Sequence, residues 1–398
     1  NHTSDQASQG TWNKYTAVSS TMYIPAAGTS LSLTTSTAFA TSTTDGTTQT
    51  DFSNIGFNLS GVSQSQTAIT GSGANGSVIL SRPNAAVSES AVAVSGYHYS
   101  CALSESGTVF CWGYNGYGQL GKGNTTDSIT PVQVIKSSEV ASGDTDGTYL
   151  TNIKSISLSA NSACAVSNNN NVYCWGANGV GQLGIGSTTA TSSPARVRKG
   201  AAIAGDIDGT STFLANVKSV AISANANNSI GHACAVTTND NLYCWGSNAN
   251  VELGIGTAGT QTSPVRVLKG MSVGADNNGT NLTNVDSVYV GIVNTCAVSI
   301  GYNIYCWGAN GSGQLGNGNT TATSTPGRVR ASNEVAAADT SDGINLTGIK
   351  SAGSSYFNYS GANVSICWVS NAGNVYCSGR GQHLGNEGTT TSSPSRVL

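Results

Sequence analysis

Charge is what this sequence has least of. Asp, Glu, Lys and Arg together make up 9% of its 398 residues, against about 25% in an average soluble chain. Nowhere do Lys and Arg form a run, and the formal net charge is -3. Capture of a nucleic-acid backbone needs a basic footprint, so nucleic acid is excluded as a partner class. Long apolar runs are also missing: no stretch approaches the roughly 20 residues a helix needs to span a bilayer. Histidine is scarce, limited to His2, His98, His232 and His383. No retention or lipid-anchor signal is legible, and a first residue other than Met is compatible with a removed signal peptide. Ser, Thr, Asn and 50 Gly replace the missing charge. Solubility therefore rests on neutral polar groups, with attached glycans as a further source.

Cysteine is where the sequence is most ordered. The ten Cys fall as Cys101/Cys111, Cys164/Cys174, Cys234/Cys244, Cys296/Cys306 and Cys367/Cys377, one spacing throughout and none left over. Such arithmetic has a reason in an oxidising compartment and none in a reducing cytosol. Cys-Ala-Val/Leu and Val-Tyr/Phe-Cys are short β-prone runs separated by turn residues such as Asn168 to Asn171, which is a hairpin pattern. Counting inward sets the two Cys opposite each other, where Cα atoms lie about 4.5–5.5 Å apart, within disulfide reach. Zinc is the alternative, but it wants four ligands per site and the four His are too few to complete five sites.

Alignment on these pairs exposes a repeat of about 60–70 residues, a period typical of propellers and solenoids. Trp-Gly follows the second Cys in four units, at Trp112, Trp175, Trp245 and Trp307. A large aromatic recurring at one position reads as packing between units. In the fifth unit Ser378 takes that place and Trp368 follows the first Cys instead. Gly116-Tyr117-Gly118-Gln119-Leu120-Gly121 satisfies the dinucleotide fingerprint, but that motif requires a following helix, and here polar residues and a proline follow. Its recurrence marks a structural turn. Five of the seven prolines open a Pro-x-x-Val ending, at Pro131, Pro194, Pro264, Pro326 and Pro394.

The pattern Cys-Ala-Leu-x5-Val-x-Cys-Trp-Gly-x-Asn-x2-Gly-Gln-Leu-Gly, followed by Pro-x-x-Val, resembles the repeat of the regulator of chromosome condensation family across residues 88–398. The paired Cys are similar to its bacterial secreted branch. The resemblance implies an all-β fold, a β-propeller of six or seven blades, five with a Cys-stapled hairpin. It also implies an N-terminal strand that completes the last blade. The family's best-known activity, guanine nucleotide exchange on a nuclear GTPase with chromatin binding, suits neither five disulfides nor a charge-poor surface. A secreted propeller inhibitor of β-lactamases is the nearer precedent for compartment.

Between units run segments such as Gly143-DTDGTYLTNIKSISL and Gly205-DIDGTSTFLANVKSVAI, each an Asp/Asn-Gly turn before an alternating strand. The sharper reading of these turns is calcium held by Asp144, Asp146, Asp206 and Asp208, with Asp276/Asn278 as a third case. Calcium takes six to eight oxygens, and two acids per turn leave most of them unsupplied. The expectation is therefore no metal and no cofactor.

Residues 1–51 form a Ser/Thr-rich extended segment, read as a closing strand, an inter-subunit strand or a degenerate blade. Residues 52–87 echo the last unit and read as a degenerate blade without its staple. Asn-x-Ser/Thr triplets make Asn58, Asn75, Asn124, Asn227, Asn278, Asn281, Asn310, Asn319, Asn345, Asn358 and Asn363 candidate glycosylation sites, as Asn1 also is. No nucleophile elbow, HExxH or glycosidase carboxylate pair is present, so no catalytic residue is assigned; His98 and His232 read as structural. The expected function is non-enzymatic: an extracellular or cell-surface structural subunit of a filament, appendage or surface layer that self-associates. The alternative is a secreted recognition module for another extracellular protein or a glycan.

Overall fold

The computed structural model describes residues 92–96, 98–200, 206, 212–270, 274, 276–340, 344–356, 364–380 and 390–397, together with five short N-terminal strands. The chain divides into two compact units, Asn1–Ala74 and Asn75–Leu398. The strands of the first unit are β1 (Asn13–Lys14), β2 (Ser20–Tyr23), β3 (Ser30–Leu33), β4 (Ala40–Ser42) and β5 (Gln49–Thr50). β2 and β3 pair as a hairpin, and β1, β4 and β5 form a three-stranded antiparallel sheet.

Five four-stranded antiparallel meanders follow in the second unit. Sheet 1 holds β6 (Val92–Ser95), β7 (Tyr99–Leu103), β8 (Val109–Gly113) and β9 (Ser128–Gln133). Sheet 2 holds β10 (Ile153–Leu158), β11 (Ser162–Ser167), β12 (Val172–Gly176) and β13 (Thr191–Arg196). Sheet 3 holds β14 (Val217–Ala224), β15 (Gly231–Thr237), β16 (Leu242–Gly246) and β17 (Gln261–Arg266). Sheet 4 holds β18 (Val285–Val290), β19 (Asn294–Ser299), β20 (Ile304–Gly308) and β21 (Thr323–Arg328). Sheet 5 holds β22 (Ile349–Tyr356), β23 (Val364–Ser370), β24 (Val375–Gly379) and β25 (Thr391–Arg396). First strands of consecutive sheets pack on one another, β6 with β10, β10 with β14, β14 with β18 and β18 with β22. That leaves the fourth strands on the rim, which is the radial order of a β-propeller. The expected degenerate blade at residues 52–87 lies outside the described residues.

Each Cys pair sits in direct cross-strand register: Cys101↔Cys111, Cys164↔Cys174, Cys234↔Cys244, Cys296↔Cys306 and Cys367↔Cys377. All five pairs are disulfides, and no free cysteine remains. Their Cα–Cα distances of 4.0–4.1 Å fall below the 4.5–5.5 Å expected for opposed residues. The ladder gives the reason. Tyr114 N–H reaches the His98 carbonyl and Ala177 N–H the Asn161 carbonyl. Counting three residues along from each of those bonds, Cys101/Cys111 and Cys164/Cys174 are non-hydrogen-bonded pairs, the closer of the two kinds, and the covalent bridge draws them closer still.

The apolar core lies between sheets rather than within them. Leu120 and Val134 of sheet 1 pack with Leu150, Ile156, Tyr173 and Trp175 from the following linker and sheet 2. The same set recurs at the next junctions. Full burial of each large apolar side chain contributes about 1.5–3 kcal/mol.

The tryptophan is also a polar latch. Trp175, Trp245 and Trp307 are fully buried and donate Nε1–H to the carbonyls of Gln119, Gln182 and Glu252 on the preceding sheet, each at 2.9 Å. A Cβ on Gly184 (φ +69°) would lie 2.6 Å from Trp245 Nε1. The Gly-Gln-Leu-Gly turn is thus a close approach to the neighbouring indole, and no phosphate cradle. In sheet 5 the two duties separate. Ser378 Oγ donates to the Gln314 carbonyl at 3.0 Å, while Trp368, fully buried one strand over on β23, lies against Gly316.

Candidate functional site

The acids of the inter-sheet segments are the first residues to place. Asp144 is buried at the end of a 3-10 turn (Ser142–Asp144). Its carboxylate accepts from Tyr173 Oη–H at 2.7 Å, Asn171 Nδ2–H at 2.7 Å and Asn169 Nδ2–H at 2.8 Å. Burial alone would raise its pKa, but the bonds from Asn171 and Tyr173 outweigh it and hold the carboxyl below its ordinary value. Asp206 accepts from Tyr243 at 2.9 Å and from Asn241 and Asn239 at 2.7 Å. Asp276 takes Tyr305 and Asn303, and Asp339 takes Tyr376 and Asn374. Arg196, Arg266 and Arg396 complete three of the sets by donating to the Asn Oδ1.

The geometry therefore speaks for a structural clasp at the calcium candidates. The lone pairs a cation would use face N–H and O–H donors. Asp146 is exposed and caps the backbone of Thr148 and Tyr149; Asp208 lies outside the described residues. Among the described residues no three His, Cys, Asp or Glu side chains converge as a metal set. Sequence reasoning missed the clasp, although its signal was present: Asp, Asn, Tyr and Arg recur at matched positions in four units. Sheet 1 lacks the set as a whole, with Thr108, Phe110 and Gln133 in place of Asn, Tyr and Arg.

The cysteines are structural and belong to no site. Cys101, Cys111, Cys164, Cys174, Cys234, Cys244, Cys296, Cys306 and Cys377 are all at most 2% exposed, and Cys367 is half-buried. Cys111, Cys306 and Cys377 each sit mid-strand on the third strand of a sheet, where the sulfur is spent on its partner across the ladder. A disulfide sulfur is neither a thiolate nucleophile nor a zinc ligand, so the zinc alternative has no ligands to draw on.

The two histidines differ in setting. His98 is exposed and stands edge-on to Tyr114, which meets Tyr117 in the same manner, at centroid distances of 6.3 and 6.4 Å. His232 is fully buried, with Nε2 2.7 Å from Thr295 Oγ1 on sheet 4. Burial drives its pKa down to about 3. Glu252 is buried at the same junction, where burial pushes its carboxyl up despite bonds from Ser247 and Asn250.

The glycosylation candidates separate by position. Asn124, Asn227, Asn278 and Asn319 are exposed, and Asn281 and Asn345 are half-buried. Asn310 is 1% exposed. Asn58, Asn75, Asn358 and Asn363 lie outside the described residues.

Among the described residues, the rim strand of sheet 1 differs from those of the other sheets. At each internal junction a glycine N–H of one sheet reaches the fourth strand of the next: Gly123 to the Ser192 carbonyl, Gly186 to Thr262, Gly256 to Ser324 and Gly318 to Ser392, at 2.8–2.9 Å. On β9 the matching residue is Ile129, which is 97% exposed, and no donor reaches its carbonyl among the described residues. Pro131 is exposed where Pro194, Pro264, Pro326 and Pro394 are buried. Trp112 is half-buried, and no carbonyl among the described residues takes its Nε1–H as those of Gln119, Gln182 and Glu252 take its three counterparts'. Among the described residues, β9 of the first sheet is thus an edge strand on which Ile129 and Pro131 are exposed, and an exposed strand edge is a template for strand addition.

Two forms of the Regulator of chromosome condensation (RCC1) repeat match the chain, one at residues 90–119, 153–182 and 220–250, the other at 106–166, 169–224 and 303–346. The Arabidopsis thaliana Ultraviolet-B receptor UVR8 is 28% identical over 242 residues, 59% of this chain and 45% of that protein. The mitochondrial RCC1 domain-containing protein RUG3 of the same plant is 26% identical over 245 residues, 60% of this chain and 46% of that protein. The match thus spans under half the length of these relatives. Human WBSCR16 superposes with a TM-score of 0.55 at 17% identity, over 92% of this chain and 79% of that one. Prp20p from Saccharomyces cerevisiae, described with its binding to Gsp1p and histones, gives 0.52 at 19% identity, over 76% and 61%.

Proposed function

The chain belongs to the Regulator of chromosome condensation (RCC1) repeat family, and from that footing we propose that it is a non-enzymatic, extracellular structural protein that assembles with copies of itself. The propeller is its protein-binding module, in keeping with relatives of this fold described with protein partners. Five disulfides point to an oxidising compartment outside the cytosol. No helix among the described residues is long and apolar enough to cross a membrane.

The observation that carries the self-assembly is the rim of sheet 1, where Ile129 on β9 is exposed and no donor among the described residues reaches its carbonyl. The occupant is the N-terminal unit of a second copy. Residues 1–51 bear only Asp5, Lys14, Asp45 and Asp51 as charged side chains, and they already form strands. Adding such a strand to β9 pairs backbone groups without burying charge. A recognition module is the second reading, favoured by the exposed His98, Tyr114 and Tyr117 cluster.

Light scattering and electron microscopy of three proteins test the proposal: the full chain, the chain without residues 1–51, and Ile129→Lys. Oligomers or filaments of the full chain that are lost in both variants are expected. Folded, monodisperse monomers in all three would refute self-assembly and turn attention to the aromatic cluster.

A further inference from the structure

We infer that Asn124, Asn278 and Asn319 carry N-linked glycans and that Asn310 does not, although all four open an Asn-x-Thr/Ser triplet. The inference rests on the extracellular reading above, because the triplet becomes an acceptor only in a chain that meets the transferase and its donor, a polyprenyl-pyrophosphate-linked oligosaccharide. In the transfer, the anomeric carbon of the sugar leaves its pyrophosphate and bonds to Asn Nδ2. The pyrophosphate departs with the bonding pair and Nδ2 gives up one proton. Nδ2 must therefore be open to solvent and free of acceptors, and the hydroxyl two residues on must not be consumed inside the fold.

Three triplets meet these conditions. Asn124, Asn278 and Asn319 are exposed, as are Thr126, Thr280 and Thr321. In each, the carboxamide oxygen is the end already engaged. Asn124 Oδ1 accepts from Thr126 N–H at 3.1 Å and Asn319 Oδ1 from Thr321 N–H at 2.8 Å. Asn278 Oδ1 accepts from Thr280 N–H at 3.3 Å and Asn281 N–H at 2.8 Å. Among the described residues no acceptor takes their Nδ2 groups, and no partner takes the three Thr hydroxyls. Asn124 and Asn319 occupy the same loop in sheets 1 and 4, each held from below by a buried asparagine. Asn115 Nδ2 grips the carbonyls of Asn124 and Thr126, and Asn310 Nδ2 those of Asn319 and Thr321.

Asn310 is that buried asparagine, and so it is the reverse case. Its Nδ2 is spent on Asn319, Thr321 and Asn317, and its Oδ1 accepts from Leu315 N–H at 2.9 Å. Asn115, Asn178 and Asn248 do the same work outside any triplet. Asn310 completes one only because Ser312 stands two residues on. Asn227 falls outside the proposal, since the Ser229 hydroxyl is shared between Asn227 Oδ1 and Asn225 Nδ2.

Glycopeptide mass spectrometry on the full chain isolated from its own cells tests this, alongside Thr126→Ala and Thr321→Ala. Both threonine side chains are exposed, so neither change disturbs packing. Glycan on Asn124, Asn278 and Asn319 with bare Asn310 is expected. Thr126→Ala should clear Asn124 alone, and Thr321→Ala Asn319 alone. Bare Asn124, Asn278 and Asn319 on protein recovered outside the cell with its disulfides intact would overturn the inference while leaving the extracellular reading standing. Glycan on Asn310 would overturn the structural criterion. Recovery from the cytosol with reduced thiols would remove the premise itself.

Discussion

Lowering the pH should loosen the junction between sheets 3 and 4 through one residue, His232. Thr295 Oγ1 donates its proton to the Glu252 carbonyl at 2.7 Å, so His232 Nε2 must be the donor in its own 2.7 Å bond to Thr295. The ring is then the neutral Nε2–H tautomer, and Nδ1 is buried without a partner. Protonating Nδ1 would bury a cation with nothing to receive it, which is why burial holds the pKa at about 3. A folded-state pKa below the unfolded value of about 6.5 means the stability is full above pH 6.5 and is lost as pH falls toward 3. Linkage gives a loss of about 2 kcal/mol by pH 5 and about 4 kcal/mol by pH 3. Glu252 works the other way: its raised pKa makes its contribution fullest in acid and lost as pH rises. The comparison of variants cancels that effect. His232→Asn is the variant to use, because sheet 4 carries Asn294 at the same position before its first Cys. Urea titrations at pH 7 and pH 5 should show wild type losing about 2 kcal/mol more than the variant between the two. Equal losses would refute the assignment of a neutral, proton-excluding His232.

Two further outcomes follow from the clasp and the staples. Asp144→Ala strands the Tyr173 hydroxyl and two Asn carboxamides, and should cost about 3 kcal/mol in urea titration, with Tyr173→Phe costing less in that background than in wild type; strict additivity would show that the clasp is not a unit. Cys164→Ala with Cys174→Ala opens one hairpin of sequence separation 10 and should cost about 2–3 kcal/mol in the chain-entropy model while the fold persists by circular dichroism; loss of all β signal would mean that a single staple holds more than its own hairpin.

Much of this molecule was decided by local sequence. The spacing Cys-x9-Cys fixed the hairpin register, because side chains alternate across a strand and only directly opposed positions let two Cys meet. The period of the repeat fixed the propeller, since one amphipathic sheet cannot bury its faces alone and must stack on the next. The paired Cys pointed to an oxidising, non-cytosolic compartment, and the five disulfides are in keeping with that. The glycine run was legible as a turn, but not as a seat for the next sheet's indole, since that neighbour lies some 60 residues away in sequence. For the same reason the inter-sheet acids looked like cation ligands: their partners, Tyr173 for Asp144 and Tyr243 for Asp206, come from strands that only folding brings near. Triplets at Asn310 and Asn319 are equivalent on paper, and burial alone tells them apart. Sequence by itself determined which residues pair within a sheet, because those contacts are short-range and periodic. Tertiary structure alone decided which polar groups are spent inside the fold and which are left for partners, because that depends on what the neighbouring sheet places opposite them.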